Sequence, residues 1–270
     1  MKVVILIDNM EHDSCVGEWG LSIYIEYGGE KILLDAGTTG CFAENAKKLG
    51  IDLKDITAAV LSHAHYDHCD GMEEFFARNK AAKLYLRKGC EENCYSNKPI
   101  GMEYIGIRKG FLEEYRNRLV YAEGDYELLP GVMLIPHKSS DMEAIGRKAN
   151  MFVLKDGKLV PERFAHEQSL VFETEKGLAI FNSCCHAGAD QIIREVADTY
   201  PGKPVYALIG GLHLFRSGAE EVHTLAERIR ETDIKLLVTG HCTGAEALEI
   251  LQEELGSRVV QMYSGLTLNL

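Results

Sequence analysis

Four side chains able to hold a metal ion fall within six consecutive positions, His63-Ala64-His65-Tyr66-Asp67-His68, directly after the apolar run Ile56-Thr57-Ala58-Ala59-Val60-Leu61-Ser62. Such a run reads as a buried strand, so the imidazoles and the carboxylate stand where the strand gives way to a loop. Burying three imidazoles and a carboxylate is costly unless each finds a polar partner, and a metal ion can serve them all. On an extended segment His63 and His65 point the same way, while Asp67 and His68 just beyond can turn toward a second ion. Ligands this dense at a strand end are a way to build a two-metal hydrolytic site from one loop.

The elements that would position this loop are legible on either side of it. The first third alternates β-rich runs with tight turns: 2–7, 21–27 and 31–34, with Gly28-Gly29 as a hairpin turn. A helix over 42–49 stops at Gly50, the motif strand follows, and a helix over 72–79 leads to a strand over 83–87. The pattern loosens over 89–118 and again over 136–167, with strands at 119–121 and 132–135 between them. Both loose stretches read as irregular insertions flanking a pocket. From 169 the alternation is clean, beginning with a hairpin, 169–173 and 178–182. Helix 189–200 follows, with Ile192, Ile193, Val196 and Ala197 on one face, then strand 205–209. Helix 219–231 repeats the stripe at Val222, Leu225, Ala226 and Ile229, and strand 235–238, helix 245–255 and a strand near 259–263 complete the series. One-faced helices alternating with strands imply two packed sheets with helices on both outer faces, a single α/β domain over 1–270.

Two further histidines end apolar strands beside glycine, where there is room for a ligand to approach. They are His186, before Ala187-Gly188, and His241, between Gly240 and Gly244, and both are candidate ligands. His166, ahead of Glu167-Gln168-Ser169-Leu170, is an alternative, and His213 in Gly210-Gly211-Leu212-His213-Leu214 either lines the pocket or is structural. His12, His137 and His223 carry little weight as ligands; His223 is expected to be exposed and His137 to lie near the second insertion. The 8 cysteines form no C-x-x-C pair and read as free thiols. Cys69, Cys185 and Cys242 adjoin candidate ligands, and these thiols are expected to pack mostly as small hydrophobes.

The set His63, His65, Asp67 and His68, with Gly71 shortly after, resembles the His-X-His-X-Asp-His signature of the metallo-β-lactamase superfamily. That resemblance implies a four-layer αββα sandwich with the metal site at one edge. Asp35, in Leu33-Leu34-Asp35-Ala36-Gly37, matches a family position close to the site, where a carboxylate would hold a ligand imidazole by its second nitrogen. The common family pattern also has a ligand His in a loop and a bridging Asp after Gly at the end of the next strand. Here Ser183-Cys184-Cys185-His186 takes the place of that Gly-Asp pair. Either His186 completes the first site and no carboxylate bridges, or His166 completes it and Cys184 or His186 stands where the Asp would; His186 is preferred. The stretches 183–188, 210–214 and 240–244 together resemble a branch labelled dihydropterin-ribofuranosylaminobenzene phosphate synthase-like, over nearly the whole chain.

The expected chemistry is metal-dependent hydrolysis of an ester, lactone, amide or phosphoester in a small substrate, anionic ones included. His63, His65 and His186 would hold one divalent ion and Asp67, His68 and His241 the other, with Asp67 orienting the water and carrying a proton to the leaving group. Zinc suits a His-rich site best, and iron or manganese would tolerate the same ligands. Two other readings are a pterin-pathway synthase or lyase-type enzyme acting on a phosphorylated substrate, and a non-catalytic metal-binding or redox protein. A net charge of −12 argues against general affinity for nucleic acid. The basic pairs Arg108-Lys109 and Arg147-Lys148 could receive a phosphate or carboxylate, but solvated surface charge is the expected role. No long apolar stretch suggests a membrane span, and the opening residues are too soon interrupted by charge for a signal peptide, so a cytoplasmic location is expected.

Overall fold

The computed structural model describes residues 1–270. Side-chain alternation decides how its layers stack. Along Lys2–Ile7 both faces are apolar: Val3 and Ile5 belong to one buried cluster, Val4 and Leu6 to another. A strand buried on both faces belongs in a sheet covered on both faces. Val3, Ile5, Ile23, Ile25 and Leu34 from one sheet share a cluster with Leu134, Leu170, Phe172, Phe181 and Ile209 from the other, which makes the inter-sheet core. The opposite faces, Val4, Leu33 and Leu84 on the first sheet and Val171, Ile180 and Leu208 on the second, pack under the helices. Phe42 and Phe75 cover one side, and Ile192, Val196, Val222, Ile229 and Leu251 cover the other. The result is the expected αββα sandwich.

Each sheet has seven strands and is half antiparallel, half parallel. The first runs Thr267–Asn269, Lys2–Ile7, Ser22–Tyr27, Glu30–Leu34, Ala58–Val60, Lys83–Arg87, Leu119–Ala122, and is parallel from Glu30–Leu34 onward. The second runs Val259–Gln261, Leu236–Thr239, Val205–Ile209, Gly177–Phe181, Gln168–Thr174, Val132–Pro136, Tyr126–Leu129, and is parallel over its first four strands. Carboxyl ends of parallel strands leave a crevice where loops converge, and the candidate ligands follow such ends in both sheets. No helix is long and apolar enough to cross a membrane.

Three differences from the sequence expectations have physical reasons. The stretches 89–118 and 136–167 are not irregular: Cys94–Lys98, Gly101–Tyr104, Met151–Lys155 and Lys158–Pro161 form a separate four-stranded sheet, preceded by helix Met142–Lys148. Its strands are short and half exposed, so they lack the apolar run that marks a core strand. Tyr126–Leu129 and Thr267–Asn269 were also not expected as strands; both are short strands at sheet edges. The motif strand is only Ala58–Val60: the Leu61 amide still donates to the carbonyl of Tyr85 in the neighbouring strand, and the chain then bends through Ser62, His63 and Ala64.

Candidate metal centre

After Val60 the chain bends through Ser62, His63 and Ala64, His65 is extended at φ −100° and ψ 149°, and the short helix Tyr66–Cys69 then turns Asp67 and His68 round. Two contacts fix this loop. The amide of Tyr66 donates to the carbonyl of Ile105 from the third sheet's hairpin, 3.0 Å away. Gly71 presses on the backbone after Asp35, where a β-carbon would lie 2.0 Å from the Ala36 oxygen.

Four of these imidazoles, of His63, His68, His186 and His241, are held by their Nδ1 atoms. Asp35 accepts the Ser62 amide at 2.7 Å and the Ser62 hydroxyl at 2.6 Å, and it faces His68 Nδ1 at 2.8 Å. Because Ser62 donates to Asp35, its oxygen is left to accept from His63 Nδ1 at 2.8 Å. His186 Nδ1 bonds to the Glu167 carboxylate, whose other oxygen accepts the His186 amide at 3.2 Å. His241 Nδ1 lies 3.1 Å from Asn9 Oδ1, and its amide donates to Asp8 at 2.8 Å. A nitrogen that donates to such a fixed acceptor puts the lone pair of a neutral ring on the other nitrogen. The Nε2 atoms of His63, His186 and His241 are accordingly buried with no hydrogen-bond partner, and so is that of His65, 3.7 Å from Glu162 Oε2.

The stranded atoms converge. Ligating atoms of His63, His65 and His186 lie within 4.8 Å of one another. Asp67 Oδ2 is 3.8 Å from His68 Nε2 and 3.5 Å from His241 Nε2. Electrostatics keeps the rings in ligand form. Burial, aided by the neighbouring imidazoles, holds His63 well below the usual histidine range and His241 at about 3. Burial also lowers His186, more than Glu167 raises it. Burial alone would raise Asp67, yet His68 and His241 pull it below the usual carboxylate range, so it is ionised. His68 is raised, because Asp67 and Asp35 outweigh its burial; a divalent cation at its Nε2 would answer the same field. His63, His186 and His241 kept neutral by burial, an ionised Asp67 and unpartnered Nε2 atoms are what a divalent-ion site requires, and the residues fit one.

The backbone is strained here. Asp35, Cys185, His213 and His241 have φ of 56°, 46°, 52° and 47°, a left-handed region costly for residues with a β-carbon. Such strain persists only where the surroundings over-determine it, and three of these residues, Cys185, His213 and His241, line one cleft.

His63, His65, Asp67, His68, His186 and His241 are thus brought together, with Asp35 behind His68. His166 stands beside them: its Nδ1 accepts the Ala64 amide at 3.1 Å, its Nε2 pairs with Glu162 at 2.6 Å, and with His65, Cys94 and Glu162 it forms another group of ligand atoms within 4.8 Å of one another. His213 lines the cleft with Nδ1 unpartnered, its ring 4.6 Å from that of His186. His223 is exposed and pairs with Glu254, whereas His137 is buried between Glu167 and Glu195. Cys69 and Cys185 pack in the core as expected. Cys242 is buried too, and with Cys184 and Cys185 it borders the cleft, the Cys184 and Cys242 sulfurs 3.5 Å apart. Sequence reasoning missed Asn9, Ser62, Glu162 and Glu167, which hold the rings. The one available signal was Glu167, an acid directly ahead of an apolar strand.

The cleft holds about 1190 Å³, and the third sheet supplies one wall through Ser96, Lys98 and Met151. Trp19 and Phe215 flank its mouth, ring centroids 5.5 Å apart. Lys98, Lys148, Arg216 and Arg228 stand on its lining, although Lys148 is paired with Glu221 across the lip. Arg108 is not on this lining and pairs with Glu73 and Glu114.

Two helix-covered sheets with histidines gathered at the carboxyl ends of both define the class, an α/β sandwich with a histidine cluster at one edge. The chain matches the profile of the metallo-beta-lactamase superfamily over residues 20–151. It is 28% identical over 262 residues to the 7,8-dihydropterin-6-methyl-4-(beta-D-ribofuranosyl)-aminobenzene-5'-phosphate synthase of Methanocaldococcus jannaschii, covering 91% of this chain and 88% of the relative. It is 26% identical over 234 residues to the anti-Pycsar protein Apyc1 of Saccharibacillus brassicae, covering 83% of this chain and 88% of that protein. Among solved structures it is similar to Tm1679, described as a metal-dependent hydrolase of the beta-lactamase superfamily. The TM-score is 0.84 at 27% identity, over 100% of this chain and 99% of that one.

Proposed function

We propose that this protein is a metal-dependent hydrolase that cleaves an ester, lactone, amide or phosphoester in a small substrate. The observation that carries the reading is the set of four buried Nε2 atoms, of His63, His65, His186 and His241, none with a partner. Buried polar atoms in proteins are nearly always satisfied, and a pair of divalent cations accounts for all four. His63, His65 and His186 would hold one ion, and Asp67, His68 and His241 the other, with zinc the best match to this donor set. Ions held there supply a hydroxide nucleophile near neutral pH and Lewis-acid stabilisation of the oxyanion that forms on attack.

The chain's own residues do the rest. Asp67 Oδ2, facing His68 and His241, accepts a hydrogen bond from the attacking water, aims its lone pair, and passes the proton to the leaving group. His213 Nδ1 offers a hydrogen bond to the substrate from the opposite wall. The cationic residues of the cleft favour anionic substrates, and the depth of the histidines limits bulk water.

A second reading is supported by the archaeal relative named as a synthase: the same ions would orient a phosphorylated substrate in a synthase or lyase-type reaction. Metal analysis with a panel of phosphodiesters, lactones and thioesters, run in ¹⁸O-labelled water, separates the two. Hydrolysis must place solvent oxygen in the product. A His65→Ala protein that keeps both metal and activity overturns the ligand assignment. An iron-coloured protein with no turnover on any of these substrates overturns both readings.

A further inference from the structure

The strand Gly177–Phe181 ends in a corner that turns Cys184 and His186 to the same side. Cys185 between them sits at φ 46° with its sulfur turned back to the Asn182 carbonyl, 3.4 Å away. The corner is rigid: Asn182 Oδ1 caps the Cys185 amide at 2.8 Å, and Asn182 Nδ2 is tied to Ser169 at 3.0 Å. The Cys184 sulfur therefore projects into the centre, buried, 3.3 Å from His68 Nε2 and 3.5 Å from Cys242 Sγ.

Its position relative to both halves is the decisive point. Cys184 Sγ groups within 4.8 Å with ring nitrogens of His63 and His68, with His241 and Cys242, and with His186 and His213. Two of those rings, His63 and His186, belong to the first proposed ion, and two, His68 and His241, to the second. An atom near ligands of both sites stands where a single donor can touch both ions. Cys242 is placed differently, because its sulfur accepts the His213 amide at 3.2 Å and groups with His241 alone among the proposed histidine ligands. Both thiols are free, and their separation is far beyond a sulfur–sulfur bond of about 2.05 Å.

We propose that the Cys184 thiolate bridges the two ions, with the Cys242 thiol donating a hydrogen bond to the bridging sulfur. The proposal rests on the two-ion reading above. Binding converts the thiol to a thiolate, the proton leaving to solvent, with no change of oxidation state. A soft sulfur bridge also restricts the ions: zinc, cobalt and iron accept thiolate, whereas magnesium and calcium prefer oxygen donors.

Cobalt(II) loading tests this, because thiolate coordination gives an intense near-ultraviolet charge-transfer band independent of turnover. The expected wild-type protein binds two cobalt ions per chain and shows the band. Cys184→Ala loses the band and most of the second ion, Cys184→Asp recovers two ions without the band, and Cys242→Ser keeps the band, shifted in energy. Circular dichroism of each variant confirms that it is folded. Two bound ions without a sulfur band in the wild type overturn the bridge and leave the two-ion reading standing. A band that survives Cys184→Ala but vanishes in Cys242→Ser also overturns it. A folded wild-type chain that binds no cobalt overturns the two-ion reading and the bridge together.

Discussion

The two sheets approach one centre in opposite ways. The first offers His63, His65, Asp67 and His68 from a single loop, so their spacing is set largely by local backbone geometry. The second offers Cys184, His186, His213 and His241 from three separate strand ends, so their spacing depends on the register of parallel strands and on strained corners. The supports differ too. His68 leans on Asp35 at the end of a neighbouring strand of its own sheet, while His241 leans on Asp8 and Asn9, which follow the first strand of the opposite sheet. A local ligand set is robust to small shifts between sheets; a distributed one reports on them.

The comparison can be broken hardest at the glycines that let backbones touch. Gly71→Ala would set a β-carbon 2.0 Å from the Ala36 oxygen, and Gly210→Ala would set one 1.9 Å from the Asn182 oxygen. Each is expected to cost roughly 3 kcal/mol or more. Urea unfolding should show this for both, and metal binding should fail in whichever chain still folds.

Next come the ring supports. Glu167→Gln replaces a charged acceptor behind His186 and should weaken metal affinity by roughly 100-fold, while Asn9→Ala, a neutral acceptor behind His241, should cost roughly tenfold. Competition with a chromophoric chelator measures both. Equal losses would mean that the distributed half is not held by its carboxylate.

Third is His137. Burial lowers this imidazole, but Glu167 and Glu195 outweigh that and raise it from 6.5 to about 9. A raised folded value means stabilisation that is complete below the unfolded value and lost as pH climbs through about 9. The stability gap between the metal-free wild type and His137→Gln should therefore narrow by on the order of 1–2 kcal/mol between pH 6 and pH 10. A gap that widens with pH would show that the ring is neutral. The smallest effect belongs to the lip: Lys148→Ala breaks an exposed pair with Glu221 and should change stability by less than about 0.5 kcal/mol. It should nonetheless raise KM for an anionic substrate more than it lowers kcat.

The same contrast explains what could be read from the sequence. The loop from His63 to His68 declares itself because its ligands are adjacent, and His186 and His241 declare themselves as histidines ending apolar strands beside glycine. Helices 219–231 and 245–255 and strand 205–209 match their expected bounds because their apolar periodicity is complete. The third sheet was hidden, since strands such as Gly101–Tyr104 bury too little to leave a pattern. Glu162, Asn9 and Ser62 were hidden for another reason: they are ordinary polar residues whose role comes only from what the fold sets beside them. The closeness of Cys242 to Cys184 was hidden because the chain turns at His241–Thr243, past the strand whose alternation could be read.

Because the proposed centre would draw ligands from positions 63 and 186, more than a hundred residues apart on separate sheets, loading it would do more than arm a reaction. It would act as a fastener, closing a long loop that the bare chain must hold shut by packing alone. Metal supply would then set how long each molecule survives as well as how fast it works, with the unloaded form the first to open at the cleft and the first to be cleared.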